Sequence, residues 1–453
     1  MTKRKTALRI PFRFGAVTTT EVSQAVLHVR VIDRNGESAV GVSAECLLPK
    51  WFDKNPELSD ADNIAQLERS LDIAISLYRD AGFHTLFGLS AAVYPVQQAQ
   101  CIQEMLNPLV ASYGPALLDR AILDATARLL DISFQELVTS NLPGVRADLT
   151  PDLAGFDISA FLGELRPAAQ IGVRHTVGLL DALTQDDVVA EAPDDGLPVT
   201  LVDVVRHYGC KYFKLKVAGN VAADLSRLER IASVLDANGA EYWCTLDGNE
   251  QYDSFEGIEA LWRLMTESPA LRRLTASILL IEQPIRRAVA MERSVEPLSR
   301  LRAVIIDESD GTYDAFPHAI RLGYNGVSSK TCKGLYKSIL NAARVAHRNS
   351  VTEAPGRYFL SAEDLITWPG ISTQQDLALV SLLGLEHVER NAHHYIDGMS
   401  FAADDEQNAF VALHPDLYHR SPGHSARLRV ERGLLSIGSL ACKGYAVGIA
   451  PVM

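Results

Sequence analysis

Cysteine is sparse and follows no motif. The six cysteines, Cys46, Cys101, Cys210, Cys244, Cys332 and Cys442, are scattered over 453 residues without a C-x-x-C pair. That excludes zinc-type spacing, and a chain of this length needs no disulfide framework. Reduced thiols in a cytoplasm are the expectation. Long apolar runs are also missing. LALVSLLGL (377–385) is among the most apolar stretches and falls far short of the roughly 18 residues of a membrane helix. The amino terminus begins basic, but Arg9, Pro11 and Arg13 break any apolar segment, so it makes a poor signal peptide. Positive charge is in deficit, with 43 basic against 56 acidic residues and a net charge of −13. Nucleic acid and anionic membranes are therefore poor partners. A small anion can still bind wherever a local cation receives it. Internal repeats and low-complexity blocks are absent as well.

What the chain does have is ordinary soluble composition, 47% hydrophobic and 22% charged, enough for a large core. Its length suggests two or three domains. Residues 1 to about 50 read as β structure, with partial alternation in SQAVLHVRVID and an Asn-Gly turn at Asn35-Gly36. Helices are expected at Asn63–Asp80, at Val96–Ser112 and over 115–138, the last with Pro115 near its start. Residues 1–140 thus form an antiparallel-strand-plus-helix unit. From about 165 to 397 the pattern becomes strand-helix alternation, with strands predicted in IGVRHTVGL, KYFKLKV, EYWCTLDG, SILLIEQ, RAVIIDE, NGVSSK, RYFLSA and LEHVERN. The acidic, Pro/Gly-bearing stretch 181–198 is an expected loop after the first of these. The tail, 398–453, including GYAVGIAPVM, reads as β-like and as returning to the first domain.

Several of these strands end on a charge. Lys214 and Lys216 close KYFKLKV, Asp247 and Asn249 close CTLDGN, Glu282 closes SILLIE, Asp307 follows AVII, and Lys330 follows GVSS. From Lys216 the steps to Asp247, Glu282, Asp307 and Lys330 are 31, 35, 25 and 23 residues, about one strand-helix repeat each. Short apolar runs of this kind are strands buried on both faces. A barrel of such units places its active site at their carboxyl ends. Three carboxylates there cannot all ionise without a compensating cation. Oxygen ligands with room for water and substrate suit Mg²⁺, with Mn²⁺ as a substitute. Burial and a nearby dication both disfavour the charged form of a lysine, which brings it toward the range of a general base.

In order, K-x-K (Lys214–Lys216), D-x-N (Asp247–Asn249), I-E-Q-P (Ile281–Pro284), D-E-S (Asp307–Ser309) and K-x-x-K-G (Lys330–Gly334) resemble the enolase superfamily, in its muconate lactonising subgroup. The segment IPFRFG (10–15) resembles that family's mobile specificity loop. The resemblance implies a modified (β/α)₇β barrel of TIM type beneath an N-terminal α+β capping domain completed by the C-terminal tail. It implies that Asp247, Glu282 and Asp307 hold Mg²⁺. Lys216 and Lys330 would then be bases on opposite faces of the substrate, with Lys214 stabilising negative charge. The implied reaction is abstraction of a proton α to a carboxylate, giving a metal-stabilised enediolate. Racemisation or epimerisation, cycloisomerisation and syn-dehydration of a small carboxylate all stay open.

The chain departs from that pattern after Lys330, where TCKGLYK stands, and at the seventh and eighth strand ends. The seventh offers Ser361, Glu363 and Asp364. The eighth offers Glu389, Arg390, Asn391, His393 and His394. Asn249, Phe12, Arg13 and His393 are candidate substrate contacts, although Arg13 also reads as a surface arginine and His393-His394 as a pair bonded to the cap. Cys332 reads as a packed small residue, and Glu308 as a support for Asp307. A homo-oligomer is expected. The alternatives are a Schiff-base aldolase using a barrel lysine and a metal-bearing scaffold without catalysis.

Overall fold

The computed structural model describes residues 1–15, 17–352 and 354–449. The cap begins with three strands, β1 (Thr2–Phe14), β2 (Val17–Ile32) and β3 (Ser38–Cys46), paired antiparallel in that order. At the expected turn Asp33 Oδ1 accepts from the backbone N–H of Asn35 and Glu37, and Gly36 supplies the positive φ of 88°.

Three helices cover the sheet: α1 (Asp60–Asp80), α2 (Leu86–Gln103) and α3 (Pro108–Leu129). A capping box starts α1, since Asp62 N–H donates to Ser59 Oγ while Ser59 N–H donates to Asp62 Oδ2. A Cβ on Gly41 would lie 2.1 Å from the Ala121 carbonyl oxygen, so only glycine lets β3 approach α3 this closely. The helix expected at Val96–Ser112 is in fact the end of α2 and the start of α3. Asn107 breaks it, capping Leu109 and Val110 N–H at 3.0 Å each, and Pro108 takes the first helical position. Pro115 accordingly lies inside α3.

Eight parallel strands close the barrel. They are β4 (Gln170–Val177), β5 (Tyr212–Lys216), β6 (Trp243–Asp247), β7 (Ile278–Glu282), β8 (Val304–Ile306), β9 (Gly326–Ser329), β10 (Phe359–Ala362) and β11 (His387–Arg390), and β11 pairs back to β4. Each falls within the run predicted for it, except that β4 begins one residue earlier at Gln170, because strands covered on both faces are near-continuous apolar segments. The stretch after β4 is a loop with one short 3₁₀ turn.

The tail is less β-like than expected. Helix Asp404–Leu413 opens it, followed by the two-residue strands β12 (Tyr418–His419) and β13 (Arg427–Leu428). Strand β14 (Leu434–Ser436) joins the barrel sheet, antiparallel to β4. The chain then reaches the cap. Tyr445 stacks on Phe134 with ring centres 3.8 Å apart, and its N–H donates to Asp124 Oδ1 of α3. Residues 444–449 form no strand, and 450–453 lie outside the described residues. No helix among the described residues is long and apolar enough to cross a membrane.

Candidate active site

Register brings the strand-end charges together. Lys216 pairs with Asp247, and Asp247 with Glu282, across β5, β6 and β7. Asp307 follows β8 and Lys330 follows β9 by one residue each. All of these side chains are buried.

Each metal-assigned acid meets a lysine. Lys216 Nζ donates to Asp247 Oδ2 at 2.5 Å, and Lys330 Nζ to Asp307 Oδ2 at 2.6 Å. Asp307 Oδ1 accepts from Ser328 Oγ and, at 3.3 Å, from Lys333 Nζ. Glu282 differs. Its Oε2 lies 2.7 Å from Lys214 Nζ without hydrogen-bond geometry, and Oε1 has no donor. Burial, with Asp247 and Glu363 nearby, pushes its carboxyl well above the usual carboxylate range. For Asp247 and Asp307 burial pushes the same way, but the adjacent lysines outweigh it and hold both carboxyls low.

At the lysines, burial and the neighbouring acids pull in opposite directions. Burial alone would lower Lys214 and Lys330. Four carboxylates around Lys214, and Asp307 beside Lys330, outweigh it and raise both above the ordinary lysine value.

A cavity of about 20 Å³ sits over this constellation, room for roughly one water. Lys216, Asn249, Lys330, Glu389 and Asn391 line it from the barrel, and Phe12, Phe14 and Trp51 from the cap. Asn249, in left-handed backbone with φ 41°, carries a buried Oδ1 without a donor. Strand alternation turns Phe12 and Phe14 inward and Arg13 away. Arg13 does not line the cavity, and its side chain donates weakly to Gly15 O at 3.4 Å.

His393 is also elsewhere. It is buried behind the barrel mouth, its Nε2 3.1 Å from His175 Nδ1 of β4 and away from the cavity, while the pair is tied to the cap through Arg9 Nη1 of β1, which donates to the His394 carbonyl at 2.7 Å. Cys332 is buried at 1% exposure as a packed residue. Glu308 lies beneath Lys54, 3.3 Å from its Nζ, and 3.5 Å from Asn249 Nδ2.

Sequence reasoning noted Glu363 and Glu389 at strand ends without giving them work, yet both hold Lys214. Lys54 and Arg287 went unnoticed. Arg287 donates to the carbonyls of Trp51 and Phe52 and to Glu250, and Lys54 donates to Asn249 O at 2.7 Å, so the two clasp the loop 51–55 against the barrel. Nothing in their local sequence marked them, since cap and barrel meet only in the fold.

The donor set fits a hard dication. Three carboxylates stand at the ends of adjacent strands, and Glu282 is buried with no hydrogen-bond donor to either oxygen. Among the described residues, no three His, Cys, Asp or Glu side chains are already gathered as a metal cage. Lys214 stands in their midst.

No protein-family model and no curated protein matches the chain. Solved structures do match over its whole length. 2-Chloromuconate cycloisomerase from Rhodococcus opacus superposes with a TM-score of 0.60 at 15% identity, covering 100% of this chain and 95% of that one. A dipeptide epimerase from Enterococcus faecalis, complexed with Mg and a dipeptide, gives 0.58 at 14% identity, with coverage of 99% and 98%. Muconate lactonizing enzyme from Klebsiella pneumoniae gives 0.54 at 16% identity, with coverage of 99% and 96%. The chain has the same barrel-and-cap fold as these structures. At these identities the likeness establishes the barrel and its cap, while the enolase-type chemistry has to be argued from this chain's own side chains.

Proposed function

We propose that the protein is a Mg²⁺-dependent enzyme that removes the proton α to the carboxylate of a small substrate. The observation that carries this reading is that Lys216 at the end of β5 and Lys330 just after β9 line one cavity, each on a different metal-assigned aspartate. Asp247, Glu282 and Asp307 would hold magnesium, whose positive charge would polarise the substrate carboxylate and take the place of the two lysine ammonium groups at the aspartates. A lysine released from its aspartate keeps its burial, which favours the neutral amine a base requires. Lys214, surrounded by carboxylates, serves as a cation near the developing negative charge.

Phe12, Phe14 and Trp51 exclude water from the reacting carbon. A cavity of about 20 Å³ admits no substrate, so the cap opens at the clasp of Lys54 and Arg287 for binding and closes for reaction. Two bases facing one cavity support racemisation or epimerisation first. Cycloisomerisation and syn-dehydration use the same frame, with one lysine acting as a cation. A cytoplasmic setting is in keeping with six free cysteines.

The test is a screen of small carboxylates for α-deuterium uptake from deuterated water, with Mg²⁺ and after chelation. Uptake that depends on Mg²⁺ is expected. No uptake from any carboxylate would overturn the proposal.

A further inference from the structure

Lys214 touches four carboxylates, and they fall into two groups. Its Nζ lies 3.0 Å from Asp247 Oδ2 and 2.7 Å from Glu282 Oε2, both assigned above to the metal. On its other side it lies 2.7 Å from Glu363 Oε2 and 2.9 Å from Glu389 Oε2, neither of which is. Only the second pair accepts a true hydrogen bond from it. With Asp247 and Glu282 the contact is ionic alone. An ammonium and a dication cannot share those two acids at contact distance in a buried site, because like charges there repel strongly.

The second pair is held as a fixed receiver. Glu363 Oε1 accepts from Arg174 Nη2 and Ser361 Oγ. Arg174 is itself anchored on the Ala362 carbonyl and on His387 Nδ1, at 2.7 Å each. Glu389 Oε1 takes Thr176 Oγ1 at 2.8 Å, and its Oε2 takes the Asp364 N–H at 3.0 Å. These anchors come from β4, β10, β11 and the segment that follows β10. Rotation of a flexible four-carbon side chain moves the ammonium between the two pairs with no change in the backbone.

We propose that Glu363 is a positioning residue for the metal site. With Glu389 it takes up the Lys214 ammonium when a divalent cation occupies Asp247 and Glu282, so that lysine and cation do not compete. This rests on the metal assignment of the proposed function. It requires both the charge of Glu363 and its reach. Glu363→Asp retains the charge but withdraws it by one methylene, so a role that is merely Coulombic survives that change and a receiving role does not.

The experiment is calorimetric titration of the full-length protein with Mg²⁺, without substrate. Glu363→Asp and Glu363→Gln should both weaken binding by about tenfold or more, the scale of coupling between groups in contact. Lys214→Met removes the competitor and should tighten binding, and Glu363→Gln should then add nothing in the Lys214→Met background. Wild-type affinity in Glu363→Asp, or an additive loss in the double variant, overturns the proposal. If Lys214→Met does not fold, the Asp and Gln variants decide by themselves. Wild-type affinity in Glu363→Asp alongside Mg²⁺-dependent deuterium uptake sinks the receiver and leaves the reaction standing. A wild type that binds no Mg²⁺ overturns both.

Discussion

Trp51 of the cap lies over Lys330 of the barrel, with the ammonium 4.4 Å from the centre of the aromatic ring. The contact joins the two domains at a proposed base, so a cap residue bears on the state of a barrel lysine. A desolvated contact of this kind is worth about 2 kcal/mol. Trp51→Phe should keep most of it. Trp51→Ala should cost about 3–5 kcal/mol of stability in urea unfolding, because a buried aromatic is lost as well. It should also slow proton exchange on the Lys330 face more than on the Lys216 face, which enantiomer-resolved deuterium uptake would measure. Equal slowing on both faces would show that Trp51 only closes the site.

Asp247→Asn and Glu282→Gln should each weaken Mg²⁺ binding by more than the roughly 10–100-fold that follows loss of an outer-shell partner. The barrel should stay folded by circular dichroism. Chelation should stop α-proton exchange, and borohydride with a carbonyl substrate should trap no adduct. Borohydride trapping on a lysine, with turnover indifferent to chelator, would favour a Schiff-base reaction instead.

The hairpin tip separates packing from recognition. Phe14 is 3% exposed and lines the cavity, while Arg13 faces away. Phe14→Ala should raise KM and admit bulkier carboxylates. Arg13→Ala should change stability by no more than about 0.5 kcal/mol and leave the substrate profile as it was. A profile altered by Arg13→Ala alone would show that the tip rearranges when substrate binds.

Much of this site was legible in the chain because parallel barrel strands are apolar runs that stop abruptly at the mouth. Lys216, Asp247, Glu282, Asp307 and Lys330 each stand at such a stop, and register does the rest. Glu363 and Glu389 carried the same signal. Their work was hidden because it consists of holding Lys214, a contact across the barrel that no spacing reveals. Likewise the facing of Arg13 and His393 depends on how a hairpin and a short helical turn lie on the barrel. In the cap, apolar periodicity ran through Met105 and Leu106 and masked the break at Asn107-Pro108. Only the capping chemistry of Asn107 separates α2 from α3. Which acid each lysine meets was likewise hidden, because the fold alone sets Lys216 on Asp247 and Lys330 on Asp307.

Asp119 gives the cap a dependence on pH. It is buried between Tyr78 and Ser90, whose hydroxyls donate to it at 2.7 and 2.8 Å. Burial pushes its carboxyl up to about 7, against the pull of those two hydrogen bonds. The folded protein therefore binds a proton that the unfolded chain releases near pH 4. Its stabilising contribution is full below about pH 4 and is lost as pH rises to about 7. Urea unfolding at about pH 5 and about pH 8 should show this loss in the wild type and a flatter profile in Asp119→Asn. An unchanged profile in the variant would place the titration elsewhere.

The central claim is that Lys216 and Lys330 act on opposite faces of one carbon. It is tested most directly by following α-deuterium uptake from deuterated water, enantiomer by enantiomer, in Lys216→Ala and Lys330→Ala. For a racemised substrate, each variant should still exchange the proton of one enantiomer, a different one in each case, and neither should interconvert them. If one lysine proves dispensable for exchange of every substrate, the two-base account is contradicted, and that lysine is a cation beside a one-base reaction.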